Sequence, residues 1–235
     1  MRAGSAHVAD LARTFGVSEM TVRRDLLALA QEGRIERVRG GALRASREPP
    51  FEETVVERLE AKNRIGAAAA ALVEDGQTVM IDIGTTTLQA ARHLHGRKIT
   101  VVTTSLAVYE ELLPDRGIEL VLPGGVVRRN YRSLVGMLAE DSLAQLGADV
   151  CFLGTSAVDA AMAVWDSTMV EVPIKRAMIA ASECVVLLAD AEKFASSGLV
   201  RVCDAAALDR VVTDTHLPPG CGPAIDDNAI EVTIA

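Results

Sequence analysis

A chain of 235 residues, 49% hydrophobic and 24% charged, is long enough for two small domains or one large core, and its composition is that of an ordinary soluble globular protein. No apolar run approaches the roughly 18 residues of a membrane span and the N-terminus lacks a signal-peptide apolar region, so the chain is expected to stay in the cytosol. The net charge of -8 argues against nucleic acid until its placement is read: residues 1–48 hold nine Arg against six acids, and the remainder holds 15 Lys or Arg against 26 acids. A basic head on an acidic body is the footprint of a protein in which one domain meets phosphates and the other does not.

In the head, Val8, Leu11 and Phe15 share one face of a helix over Val8–Thr14, with Asp10 and Arg13 left to water. Gly16 supplies a turn. Ser18 is a good N-cap for a second helix, on which Val22, Leu26, Leu29 and Ala30 recur at helical spacing until Gly33 stops it. The residues off that apolar stripe are Glu19, Thr21, Arg23, Arg24 and Gln31, which puts hydroxyl and guanidinium groups near the end that meets base edges in a helix-turn-helix. Arg34–Arg39 then alternates imperfectly and Gly40-Gly41 signals a hairpin, a wing carrying Arg37 and Arg39 to the DNA backbone or minor groove. The alternative is a winged helix used for protein contacts, with its arginines as a solvated face.

The run VSEMTVRRDLLALAQEGRIERVRGGAL, Val17–Leu43, resembles the DeoR family of bacterial transcriptional repressors in its Ser-x-x-Thr-x-Arg-Arg-Asp-Leu helix and its Arg-x-x-Gly-Gly-Ala wing. The resemblance implies DNA contacts from Ser18, Thr21, Arg23, Arg24, Arg37, Arg39 and Gly40. It also implies a helix ahead of Val8, whereas MRAGSAH is too short to supply one of ordinary length. The head is therefore expected to lack its first helix, through a start upstream of Met1 or through a weakened DNA module.

Glu48-Pro49-Pro50-Phe51 breaks regular structure, and the expected division is a head at 1–46, a linker at 47–61 and a body at 62–235. Ile65, Ala68, Ala69, Leu72 and Val73 form a helical stripe. Apolar strands and amphipathic helices then alternate: 78–83, 86–94, 99–103, 106–113 and 118–122, a Gly124-Gly125 turn and a polar excursion over 128–133, and 138–146, 150–154, 174–181, 184–189, 211–213 and 230–234. That alternation predicts a parallel sheet covered by helices, and so an α/β fold. Cys151, Cys184, Cys203 and Cys221 show no Cys-x-x-Cys pairing and read as reduced thiols, and His93 and His95 as solvated, so no metal and no cofactor is expected.

Ligands of an open α/β sheet collect at the carboxyl ends of its strands. Here those ends read Asp82, Gly84, Thr85, Thr86 and Thr87, then Thr103, Thr104 and Ser105, then Pro123-Gly124-Gly125. Gly84 permits close backbone approach and the helix that follows offers amides to an anion, which suits a phosphate, although capping alone would also explain each loop. Asp82 would repel phosphate and is assigned to sugar hydroxyls or to fixing the loop. Lys175, expected on the helix face opposite Met178, and Lys193, after Asp190, are the candidate cations.

From Lys62 to Asp214 the body resembles the DeoR-type sensor domain, through Ile81–Thr86, Pro123-Gly124-Gly125, Lys175-Arg176-Ala177-Met178 and Ala189-Asp190 to Lys193-Phe194. The resemblance implies a ribose-5-phosphate-isomerase-like α/β fold that binds phosphorylated sugars, with Asp82, Gly84, Thr85, Thr86, Thr104, Gly125, Lys175 and Lys193 lining the pocket. Ala157, where the family often has glycine, and Trp165 depart from the pattern. The resulting expectation is a homo-oligomeric repressor of a carbohydrate operon, binding double-stranded operator DNA and a phosphosugar effector. The alternative is a sugar-phosphate isomerase with a vestigial head and Asp82 or Asp190 as its base.

Overall fold

The computed structural model describes residues 5–31, 35–38, 41–44 and 49–235, with side chains in the head described at position 8 and at 11–26. Two compact units divide the chain, Met1–Glu48 and Pro49–Ala235.

The head runs β1 (Ser5–His7), α1 (Val8–Phe15), α2 (Glu19–Gln31), β2 (Ile35–Val38) and β3 (Gly41–Arg44). Its strands form an antiparallel sheet in the order β1-β3-β2, so residues just ahead of Val8 add a third strand to the expected two-stranded wing. Val8, Val22 and Leu26 make a small core with Leu11 and Ala12 against it. Phe15, expected beside Val8, is 69% exposed. It is the last residue of α1, and Val17 N–H already closes the turn onto Ala12 O at 3.1 Å.

The second unit opens with α3 (Phe51–Thr54) and α4 (Leu59–Ala70), followed by β4 (Thr78–Ile81), α5 (Thr85–Arg92), β5 (Thr100–Thr103), α6 (Leu106–Leu112) and β6 (Glu119–Val121). A hairpin, β7 (Val126–Arg128) with β8 (Ser133–Val135), leads to α7 (Met137–Leu143) and β9 (Ala148–Leu153). Then come β10 (Ala157–Val158), β11 (Val164–Asp166), α8 (Val172–Ala180), β12 (Ser182–Leu188), β13 (Val200–Cys203), β14 (Arg210–Thr213), α9 (Gly222–Asp227) and β15 (Glu231–Ile234).

Seven of these strands form one parallel sheet in the order β15-β14-β12-β9-β4-β5-β6. Its inner strands are buried on both faces, which is why they read as unbroken apolar runs. One core joins Met80, Val102, Leu153 and Leu187 to Ile174 and Met178 of α8; the other joins Ile81, Val101, Phe152 and Leu188 to Ile65 of α4 and Leu88 of α5. The chain lays β5 and β6 to one side of β4 and β9 onward to the other, so the order in which strands are added reverses between β4 and β9. A crevice opens at the carboxyl side of such a reversal.

Two expectations change. From Pro49 on, the stretch read as linker belongs to the body: Phe51 is 2% exposed, its N–H bonds Asn130 O at 3.1 Å, and its ring meets Tyr131 edge-on at 5.6 Å. A single anchor in a polar stretch is invisible to composition. The polar excursion at 128–133 is the turn of the antiparallel hairpin β7–β8, and β10, β11 and β13 form a further antiparallel sheet. Among the described residues no helix is long and apolar enough to cross a membrane, all four cysteines are free, and no group of three or more His, Cys, Asp or Glu could hold a metal.

Candidate functional site

At the start of α2 the cap forms as its sequence dictates. Thr21 N–H donates to Ser18 Oγ at 3.1 Å, and the two hydroxyls lie 2.9 Å apart. Arg23 reaches back to Glu19 at 3.3 Å and Arg24 lies 3.8 Å from Asp25, both on exposed ground where such pairs are exchanged cheaply for other anions. Thr21, Arg23 and Arg24 thus stand within one turn of each other on the solvent side. Arg37 lies in β2, opposite Ala42 of β3. Arg39 and Gly40 lie outside the described residues.

In the body the informative charges are buried. Asp82, just past β4, is 0% exposed and Lys175 of α8 is 2% exposed. Lys175 Nζ donates to Asp82 Oδ2 and to Gly154 O (3.1 Å) and lies 3.5 Å from Asp166, while Gly154 N–H donates to Asp82 Oδ2 at 2.9 Å. The ion pair therefore ties the end of β4 to the end of β9, across the point where strand order reverses. Lys175 lies on the buried side of α8 with Met178 rather than opposite it. Burial pushes the Asp82 carboxyl up to about 6, against the pull of Lys175; burial also opposes the charge on Lys175, but Asp82 and Asp166 outweigh it and hold the ammonium above its ordinary range.

Glu171, one turn before Lys175 and 0% exposed, extends this cluster. Its Oε1 accepts from Arg128 and from Ser133 Oγ (2.6 Å), both on the β7–β8 hairpin. Sequence reasoning missed Glu171, Asp166, Arg128 and Ser133. The four-residue step from Glu171 to Lys175, placing two charges on one side of an otherwise apolar helix start, is the signal that could have found the first.

The other expected residues divide. Gly84 caps α5 with φ +145°, a conformation L side chains rarely adopt, and Thr85 and Thr86 occupy the first turn, whose amides have no helical acceptor. Thr104 follows β5 and is fully buried. A side chain at Gly125 would meet Val135 O at 2.9 Å, so close packing onto β8 explains that glycine. Lys193 is half-buried beyond β12, on the side of a second cluster: Arg58 bonds Asp214 at 2.6 Å and lies 3.9 Å from Asp190 and 3.6 Å from Glu192, and buried Lys62 donates to Thr54 O at 2.7 Å. Leu188 and Val212 belong to the α4-side core, and Asp190 and Asp214 continue those rows by two residues. Lys193 is thus not brought to the Asp82–Lys175 pair. Trp165 donates to Asp159 at 2.8 Å on β11. An open cleft of about 510 Å³ lined by Thr78, Asp149, Ser182 and Glu183 lies at the opposite, amino end of the strands, away from all these groups.

The profile of the DeoR C terminal sensor domain matches residues 57–215, and that of the DeoR-like helix-turn-helix domain matches residues 1–48. The chain belongs to the DeoR family. Its DeoR relatives include the glycerol-3-phosphate regulon repressor of Escherichia coli K12, 31% identical over 98% of this chain and 93% of that one, and the transcriptional repressor CsqR of the same strain, 31% identical over 98% and 90%. The regulator GolR of Listeria innocua is 30% identical over 97% and 91%. Among solved structures, a ribose 5-phosphate isomerase A from Neisseria gonorrhoeae is similar at 22% identity over 57% of this chain and 52% of that one, with a TM-score of 0.43. This DeoR protein is a transcriptional regulator, and the reading as an isomerase with a vestigial head is set aside: the helix-turn-helix and the sensor domain both match, and the full-length relatives are named as regulators.

Proposed function

We propose that this protein represses a carbohydrate or related catabolic operon from the cytoplasm, as a homo-oligomer whose grip on operator DNA is set by a phosphorylated sugar bound at the carboxyl ends of β4 and β5. The observation that carries the effector half is the buried Asp82–Lys175 pair at the reversal of strand order, beside a helix start with free amides. In this reading the phosphate rests on Gly84, Thr85 and Thr86, and Asp82, Thr104 and Lys175 face the sugar. Gly125 holds the wall, and Lys193, which belongs with Lys62 and Asp190, is left out of this pocket. Names of relatives that include a glycerol-3-phosphate regulon repressor support a phosphorylated polyol as the ligand class.

In the head, Thr21 and Arg23 read base edges, with Ser18 fixing the start of the helix. Arg24, Arg37, Arg39 and Gly40 meet the DNA backbone. Two heads on a two-fold axis would read half-sites about 34 Å apart or a multiple. The test is a panel of sugar phosphates scored for thermal shift and for change in operator affinity. An effector should move both, the second by a coupling of roughly 1 to 3 kcal/mol. A panel that moves neither ends the sensor half of the proposal.

A further inference from the structure

We infer that Glu171 sets the specificity of the effector site, its free carboxylate oxygen joining those of Asp82 and Thr104 to receive hydroxyl groups of the ligand. The inference rests on the reading of this crevice as the effector site. It starts from strand register. Ile81 pairs with Thr103 in the parallel sheet, so Asp82 and Thr104 stand side by side, and by the alternation of strand side chains they continue the rows of Met80 and Val102. Met80 and Val102 face the core that holds Ile174 and Met178 of α8. Glu171 immediately precedes that helix, and Ser133, which binds it, forms a β-bridge to Ser105, the neighbour of Thr104. The three residues therefore gather at the carboxyl end of the same sheet face.

Each has one polar atom left over. Asp82 Oδ1, Thr104 Oγ1 and Glu171 Oε2 are buried and have no hydrogen-bond partner among the described residues. Buried polar atoms are ordinarily paired, and leaving one unpaired is costly, so three at one crevice mark a place made to be completed from outside. Their chemistry states by what. Two carboxylate oxygens and a hydroxyl are left to receive hydrogen bonds, and Lys175, the nearby donor, is already committed to Asp82, Gly154 and Asp166. A phosphate is repelled here. Hydroxyl donors fit, which separates the polyol part of a sugar phosphate from its phosphate and makes the site select against deoxy analogues. Arg128 and Ser133 hold Glu171 through Oε1, which leaves Oε2 for the ligand.

Calorimetric titration of the full-length protein with matched pairs tests this: ribose 5-phosphate against 2-deoxyribose 5-phosphate, and glucose 6-phosphate against 2-deoxyglucose 6-phosphate. The wild type should prefer the hydroxylated member of at least one pair by about tenfold or more. Glu171→Gln should erase most of that preference. Thr104→Val, of nearly the same shape and outside every ion pair, should reduce it too, and decides the matter if the first variant does not fold. Variants that keep the wild-type preference, or that weaken both members of a pair equally, overturn the inference. A wild type that binds these esters without preferring hydroxyls overturns it while leaving the proposed function standing. A wild type that binds none of them overturns both.

Discussion

The recognition helix and the carboxyl end of the sheet both concentrate charge, and they use it in opposite ways. On α2 the side chains of Arg23 and Arg24 are 56% and 79% exposed, paired with their own helical neighbours at distances that water and salt readily undo. In the body the Lys175 side chain is 2% exposed and bound to groups from two strand ends. A solvated cation costs nothing to keep and can trade one anion for another, which suits a surface that must meet DNA and let go. A buried cation is held only because its partners are in place, so any group that alters those partners is felt by the strands they join. The contrast also separates stability from affinity: substitutions on α2 should change binding and leave folding alone, while those at the sheet should do the reverse first.

The largest effect expected from that contrast is for Lys175→Met, which leaves Asp82, Asp166 and Glu171 together without their buried cation. It should lower the unfolding free energy by roughly 3 to 5 kcal/mol, and the double variant with Asp82→Asn should recover part of the loss. Urea denaturation measures both, and a loss under about 1 kcal/mol would put Lys175 in the same class as the surface arginines.

Next is pH. The Asp82 carboxyl is pushed by burial from 3.8 to about 6, so its folded value lies above its unfolded one. Its contribution is then fully present below about pH 4 and is lost as pH rises through 6. The wild type should therefore gain on Asp82→Asn by on the order of 2 kcal/mol as pH falls from 7 to 4. A difference between the two proteins that stays flat across that window would contradict the buried placement of this acid.

On α2, Thr21→Ala and Arg23→Ala should each cost roughly 1 to 3 kcal/mol on the operator and far less on random duplex, with unchanged unfolding. Equal losses on both DNAs would move these residues from base reading to phosphate contact. The smallest effect is for Arg37→Ala, which should weaken all duplexes alike and flatten the salt dependence of binding by about one phosphate. A steeper loss on the operator alone would make the wing a sequence reader.

Much of this architecture was legible beforehand because its signals are local. Ser18 ahead of a 3.6-residue stripe marks a capped helix whatever surrounds it, and the runs at 79–81 in β4 and 150–153 in β9 announce burial on both faces by having no polar alternation. Asp82, Thr86 and Thr104 were singled out as candidates because a strand end is a place in the sequence as well as in space. Glu171 and Ser133 were not, since 38 residues separate them and neither belongs to a motif. Phe51 was lost among prolines and acids, and Lys193 was grouped with Lys175 because both are basic, although the sheet sets their clusters on different sides.

The amino-acid order by itself determined most of the helices and the strands of the main parallel sheet, that the head is basic and the body acidic, and that hydroxyl-rich turns follow the first strands of the body. Tertiary structure decided which charges meet. Strand order is fixed by the packing of two apolar faces over many residues at once, and only that order carries Asp82 to Gly154 and lays α8 across them. Pairing between distant residues depends on the whole sheet closing, and no stretch of sequence short enough to read as a pattern contains it.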